Sequence, residues 1–338
     1  MSLTSQLKRR DSPVRRWMEE RFPETSGLAR EANSHLRGGR PTCPVPVVAE
    51  ADESLVGTAI DLLLRACLQT TSIERTIATR AAQTLSRDPS IGPRAVEVER
   101  EAAGGIERLR PDSRDLTDSE WRELCICCLV LARFEQRART PKPSPTIHER
   151  LIAPLRRCRG LSDFAPMALA PATIEDLEQL SRASWEDHED WATAQPLVLN
   201  PRFELSRALG GADGDLIAGR RLIDLKSTAT SRIVRDRGLW QLLGYVLADT
   251  NDQYEIREVG IAALRWRSSI TWTIEELLSE LAPKGPMVRV AGKIGVPAPA
   301  IHDLAELRAE FALAVEQSRP RLARPLKGLP PRPGRPPA

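Results

Sequence analysis

The stretch from Asp213 to Lys226 constrains the fold more than any other. It reads DGDLI, then Ala218-Gly219-Arg220, then RLIDLK. Two short apolar runs on either side of a glycine-bearing turn predict a β-hairpin. Side chains alternate faces along a strand. Asp224 and Lys226 therefore share one face, while Ile223 and Leu225 turn the other way, into the core. Asp213 and Asp215 also share a face. If the two strands pair, three carboxylates and an ammonium converge. Like charges so close raise each other's pKa, and burial adds a desolvation cost. A divalent cation resolves the conflict, because Mg²⁺ takes oxygen ligands, typically one or two carboxylates with water and phosphate. A lysine beside it can orient or help deprotonate an attacking water and stabilise charge on a phosphate. The plainer reading of the same residues is a surface hairpin with an ordinary Asp/Lys ion pair.

The surrounding pattern places that hairpin late in the chain. Residues 1–50 read as a helix and an irregular segment, broken at Pro23 and through GGRPTCPVPV. Residues 51–196 read as a helical region that packs on the core. DESLVGTAIDLLLRACLQ has an acidic first turn and helical apolar spacing. The helix around Trp121–Phe134 is capped by Thr117 or Asp118 and buries Leu124, Cys128 and Leu129. A helix pair is expected over 146–157 and 173–191. From residue 197 the apolar runs shorten and glycines appear, so 197–317 reads as a compact α/β core with C-terminal helices. Within it, 232–249 predicts a helix, EIREVGIAALRWR a strand of about twelve residues, and SSITWTI a short strand. Thr273 N-caps a further helix, and the last helix covers 301–317. Residues 318–338 read as a disordered Pro/Arg-rich tail.

A helix follows the hairpin with Gln241 and Tyr245 four residues apart, hence on one face. The set Asp215, Asp224-Leu225-Lys226 and Gln241-Leu242-Leu243-Gly244-Tyr245 resembles the PD-(D/E)xK nuclease superfamily, in particular its RecB-like branch. That pattern has an acidic residue at the end of one strand, (D/E)xK on the next, and QxxxY on the following helix. The motif resemblance covers roughly residues 205–250. It implies an α/β fold: a restriction-endonuclease-like mixed-sheet core flanked by a largely helical N-terminal half. It further implies that Asp215 and Asp224 ligate Mg²⁺ or Mn²⁺, with the backbone carbonyl of Leu225 as a further ligand. Lys226 would serve the water and the scissile phosphate, and Gln241 and Tyr245 would position the site or a DNA phosphate. The branch also has an upstream helix that opens with glycine and carries a His or acidic residue toward the metal. Gly57 to Asp61 is a looser match. Asp61 departs from the common His, and an i,i+4 salt bridge to Arg65 is its other reading. Asp213 is a candidate accessory carboxylate.

Charge and cysteine usage limit the alternatives. The chain has 338 residues and a net charge of +3. Residues 319–338 hold six Lys/Arg and no acid, so without them the remainder stands at −3. Nucleic-acid contact must then come from a local cationic patch or from the tail. The six cysteines all precede Asp213. That order argues against the iron–sulfur cluster of some RecB-like nucleases, which takes one cysteine upstream and three downstream of the nuclease motifs. No CxxC pair suggests zinc. Cys125, Cys127 and Cys128 fall in an apolar helix and read as core. The four histidines are scattered, and His188 in WEDHEDW reads as a solvated helix face. No apolar leader and no run of about 18 apolar residues is present, so the chain is expected to be cytoplasmic and without a membrane segment. No P-loop is present, so a partner protein would have to supply any motor.

These features lead to a metal-dependent nuclease that hydrolyses DNA, single- or double-stranded, in repair, restriction or phage defence. The competing expectation is a catalytically inactive nuclease-fold subunit for nucleic-acid binding or complex assembly. A helical scaffold with an incidental hairpin is a third.

Overall fold

The computed structural model describes residues 2–38, 52–68, 77–110, 116–140, 144–283, 288–290, 293–295 and 303–318. The chain is a mixed α/β protein with a helical N-terminal half. It opens with α1 (Leu3–Lys8), α2 (Pro13–Arg21) and α3 (Thr25–Arg37). This corrects the expectation of one helix and an irregular segment. Pro13 sits at the first position of α2, where a missing N–H costs nothing, and Pro23 follows its end. Cys43 and most of the GGRPTCPVPV stretch lie outside the described residues, as does the 319–338 tail.

The helical half continues with α4 (Glu53–Leu68), α5 (Ile77–Leu85), α6 (Gly92–Leu109) and α7 (Asp118–Arg139). A capping box starts α7: the Thr117 hydroxyl accepts from the Glu120 N–H, and Glu120 reaches back to the Thr117 N–H. The expected face of Leu124, Cys128 and Leu129 is buried, but so are Cys125 and Cys127, because α7 runs through the middle of the helical core. Next come α8 (Pro145–Ile147), a π turn at His148–Ile152, α9 (Ala153–Arg157), α10 (Leu161–Ala168) and α11 (Pro171–His188). Helix α10 lies between the two helices expected from periodicity and was not anticipated.

The strands are β1 (Leu197–Leu199), β2 (Leu216–Ala218), β3 (Arg221–Lys226), β4 (Glu258–Ala263) and β5 (Ser268–Thr273). They form one open sheet in that order. Neighbours are antiparallel except β3 and β4, which are parallel and joined through α12 (Asp236–Ala248). Of two further helices, α14 (Leu304–Gln317) packs beside α12 and α13 (Ile274–Leu281) packs against β5 and α3 in the same core, and a small hairpin pairs Val288–Val290 with Lys293–Gly295.

The predicted hairpin is β2–β3, with a tighter turn than expected. Ala218 already pairs with Arg221, and Gly219 takes φ +64°, a conformation that suits glycine. The twelve-residue strand read over 255–267 is corrected to six residues. Leu264–Trp266 coils into a 3₁₀ turn and Arg267 takes φ +46°, which reverses the chain into β5. Helix α12 starts at Asp236 rather than at 232. The preceding loop buries Ile233 and Val234, and Asn33 of α3 exchanges hydrogen bonds with both backbone groups of Val234 at 2.8 and 2.9 Å.

Both faces of the sheet are covered. Leu216, Ile223 and Ala262 pack against the core of α4–α11. Ile217, Leu222, Val259 and Ile261 pack against α1–α3 and α12–α14. Helices on each face of a sheet give the layered arrangement expected of α/β proteins. Among the described residues no helix is long and apolar enough to cross a membrane.

Candidate active site

Alternation along β3 sends Leu222 to the α12 side and Ile223 to the α4 side, so Asp224 and Lys226 follow Leu222. That face is not solvent, as a simple hairpin would have it. Helix α12 covers it, and Asp224 is only 7% exposed. Lys226 forms an ion pair with Asp224, the geometry that places residues i and i+2 on one strand face. Burial works to lower the Lys226 pKa, but the Asp224 and Asp215 carboxylates outweigh it and hold Lys226 above the ordinary lysine value. The side chain is therefore a firm ammonium near neutral pH. It can orient water and stabilise phosphate charge, while the role of proton acceptor is disfavoured.

Asp215 stands one residue before β2. Its carboxylate accepts a 2.7 Å hydrogen bond from the Leu225 N–H. The N–H and C=O of one strand residue project to the same side, so the Leu225 carbonyl shares that edge. Burial, and after it the Asp224 charge, push Asp215 up from 3.8 to about 6. Lys226, the Leu225 N–H and Arg65 oppose that shift. Two carboxylates so close, beside one ammonium and one backbone carbonyl, suit a divalent cation. The donor set is all oxygen, which matches Mg²⁺ or Mn²⁺ rather than zinc.

Gln241 and Tyr245 lie on α12, and the Gln241 amide donates to the Tyr245 hydroxyl at 2.6 Å. The Tyr245 ring stacks on Phe203 with centroids 5.6 Å apart. Burial, followed by the charges of Asp224, Asp215 and Asp213, holds its phenol well above the ordinary value, so it stays protonated. That electrostatic influence places the QxxxY helix in the same field as the two aspartates.

Asp213 and Asp61 stand differently. Asp213 is exposed, in an isolated bridge with Arg202 across the chain that leads into β2. Among the described residues no three His, Cys, Asp or Glu side chains gather as a ligand set. The convergence of three carboxylates is thus corrected to a pair, because the alternation that would align Asp213 with Asp215 is broken outside the strand. Asp61 is ion-paired with Arg65, as its plainer reading had it. It also lines a cavity of about 170 Å³ with Gly57, Arg139, Asp215, Leu225 and Ser227. Asp224 and Lys226 do not line that cavity, since they lie on the α12 side of the strand. Asp215 bridges the two sides.

Two contributors had no signal in the sequence. Arg139, at the end of α7, reaches the cavity while bonded at 2.8 Å to the buried Glu135. Arg265, after β4, is fully buried. It makes two 2.6 Å bonds to the Asp176 carboxylate and donates from Nε to the Ser227 carbonyl at 2.6 Å. This strut ties α11 to the residue after Lys226. The expected solvated His188 is corrected as well: its ring stacks on Trp191 at 4.1 Å, and burial lowers its pKa. The described cysteines, Cys67, Cys125, Cys127, Cys128 and Cys158, are free and buried. No family model, curated protein or solved structure matches the chain, so the reading of this site rests on its own residues.

Proposed function

We propose that the chain is a Mg²⁺- or Mn²⁺-dependent deoxyribonuclease of the PD-(D/E)xK type, with a restriction-endonuclease-like core. The observation that carries this reading is the gathering of Asp215 and Asp224 beside Lys226, with the Asp215 carboxylate bonded to the Leu225 N–H and its pKa raised by burial and by Asp224, near the Gln241–Tyr245 pair of α12. Asp215 before one strand, Asp-Leu-Lys on the next and QxxxY on the following helix agree in order with the superfamily pattern. Asp215, Asp224 and the Leu225 carbonyl would hold the cation, with Asp61 within reach through the shared cavity. Bound there, the cation would neutralise the carboxylates and lower the pKa of a water. Lys226 would stabilise charge on the scissile phosphate. Arg139 adds a guanidinium suited to a non-bridging phosphate oxygen. Tyr245, protonated, would donate a hydrogen bond rather than take a proton. Buried, unpaired thiols fit a reducing, cytoplasmic setting.

The test is cleavage of labelled single- and double-stranded DNA by the purified chain with Mg²⁺ or Mn²⁺. Wild type should cut and stop with EDTA, while Lys226→Ala and Asp224→Asn should lose about a hundredfold or more in rate with the fold retained. A Lys226→Ala protein that cuts like wild type sinks the reading.

A second reading is a nuclease-fold subunit that binds without cutting. It is favoured by two engaged groups: Lys226 is bound to Asp224, and Asp61 to Arg65. Calorimetric titration separates the two, since a binding-only module need not take up Mg²⁺ at Asp215 and Asp224.

A further inference from the structure

A cationic groove lies between the N-terminal helices and the start of α12. It encloses about 530 Å³ and is lined by Lys8, Arg10, Arg15 and Arg237, by the acids Glu19 and Asp236, and by Trp240, among others. Arg15 is paired with Glu19 at 2.7 Å. Lys8, Arg10 and Arg237 are exposed and have no carboxylate partner among the described residues. The loop that leads from β3 into α12 adds Arg232 and Arg235, both exposed and likewise unpartnered. That loop is held in place. Ile233 and Val234 are buried, and Asn33 clamps Val234, so the arginines beside them project from a fixed backbone.

The clustering is selective. Outside its last twenty residues the chain carries a net −3, so five unpartnered cations in one region are not the overspill of a basic protein. Such a region has self-repulsion that a polyanion relieves, with release of counterions as the gain. Helix α12 links the groove to the site. Arg237, Gln241 and Tyr245 recur every four residues along α12 and form one stripe of that helix. At 1.5 Å per residue, Arg237 lies ~12 Å along the axis from Tyr245, roughly three to four nucleotide rises along one strand.

We infer that this groove, with Lys8, Arg10 and Arg237 as its contacts and Arg232 and Arg235 as its flank, carries the phosphate backbone of a nucleic-acid strand that runs to the Asp215/Asp224 site. The inference deepens the nuclease reading and rests on it. It assigns the α1–α3 segment a part in substrate binding, separate from catalysis.

The experiment uses the full chain, tail included, and a fluorescein-labelled oligonucleotide in Ca²⁺ without Mg²⁺. Anisotropy gives the affinity over a range of salt, and Mg²⁺-driven cleavage is measured in parallel. The variant is Lys8→Gln/Arg10→Gln/Arg237→Gln. The control, Arg87→Gln/Arg156→Gln/Arg157→Gln, removes equal charge from exposed positions of the helical half. The groove variant should bind at least tenfold more weakly. Its slope of log affinity against log salt should fall by about 0.7–0.9 per lost contact, for single strand and duplex respectively. The control should keep both. Equal losses in the two triple variants, or none in the groove variant while wild type cuts, overturn the groove and leave the nuclease reading standing. A wild type that neither binds nor cuts overturns both. Arg237→Gln alone, which leaves α1 and α2 untouched, should give about a third of the change in slope.

Discussion

The Asp215 carboxylate accepts a 2.7 Å hydrogen bond from the backbone N–H of Leu225, the residue between Asp224 and Lys226. This bond fixes one carboxylate against the strand that carries the other. It is too little to offset burial and the Asp224 charge, which together push Asp215 up to about 6. A carboxyl raised in the folded state binds its proton more tightly there than in the unfolded chain. Its contribution to stability is therefore fully present below 3.8 and lost as pH rises through about 6. The metal-free protein should lose thermal stability across that window. Asp215→Asn should flatten the loss, and Mg²⁺ at pH 7 should restore more stability to wild type than to the variant. Melting curves from pH 4 to 7 check this. An unchanged slope in Asp215→Asn would show that Asp215 is not the group responsible.

Helix α4 approaches β3 so closely that a Cβ on Gly57 would stand 2.8 Å from the Ser227 Oγ. The Ser227 side chain would have to rotate or the helix shift. Alanine is favoured over glycine inside a helix by roughly 0.5–1 kcal/mol, whereas overpacking costs about 1–3 kcal/mol. Gly57→Ala should therefore be neutral or destabilising in wild type and stabilising in a Ser227→Ala background. Denaturant unfolding of the four proteins gives the coupling. Strict additivity would mean that the contact does not act.

Arg265 and Asp176 are the most deeply buried ion pair among the described residues, each side chain about 1% exposed. Removing one partner leaves the other charged and unmatched, at a cost of about 3–5 kcal/mol. Asp176→Ala should show this loss in urea. Because Arg265 also holds the Ser227 carbonyl, cleavage should fall further than the unfolded fraction accounts for. A variant whose activity per folded molecule matches wild type removes the strut from the site.

The hairpin and its Asp224/Lys226 alternation were legible in the sequence because a two-residue period and a glycine turn are local signals. The N-cap at Thr273, and that at Thr117 as one of two candidates, were legible for the same reason. What lay on each side of the sheet was not. Nothing near Asp224 announces that α12 buries its face, and nothing near Asp176 announces Arg265, 89 residues away. Asp61 shows the limit most clearly. Its two readings, ion pair with Arg65 and carboxylate carried toward a metal, were equally consistent with the spacing; the fold forms the ion pair and sets Asp61 on a cavity that Asp215 also lines. The convergence of three carboxylates did not form, because alternation governs only residues inside a strand and β2 begins at Leu216.

Tyr245 offers the sharpest separation of binding geometry from acid–base chemistry. Its hydroxyl accepts from Gln241 at 2.6 Å, which leaves its own proton free to donate, and its pKa stands above the ordinary value. A group so firmly protonated contributes a hydrogen bond and no titration near neutrality. Tyr245→Phe keeps the ring that stacks on Phe203, so stability should fall by only about 1 kcal/mol. The rate of DNA cleavage should fall about tenfold, the loss of one transition-state hydrogen bond, and the pH–rate profile should keep its shape. Single-turnover rates from pH 6 to 9 in both proteins make the comparison. A profile that loses its alkaline limb in Tyr245→Phe would assign the phenol a proton-transfer role and overturn the positioning one.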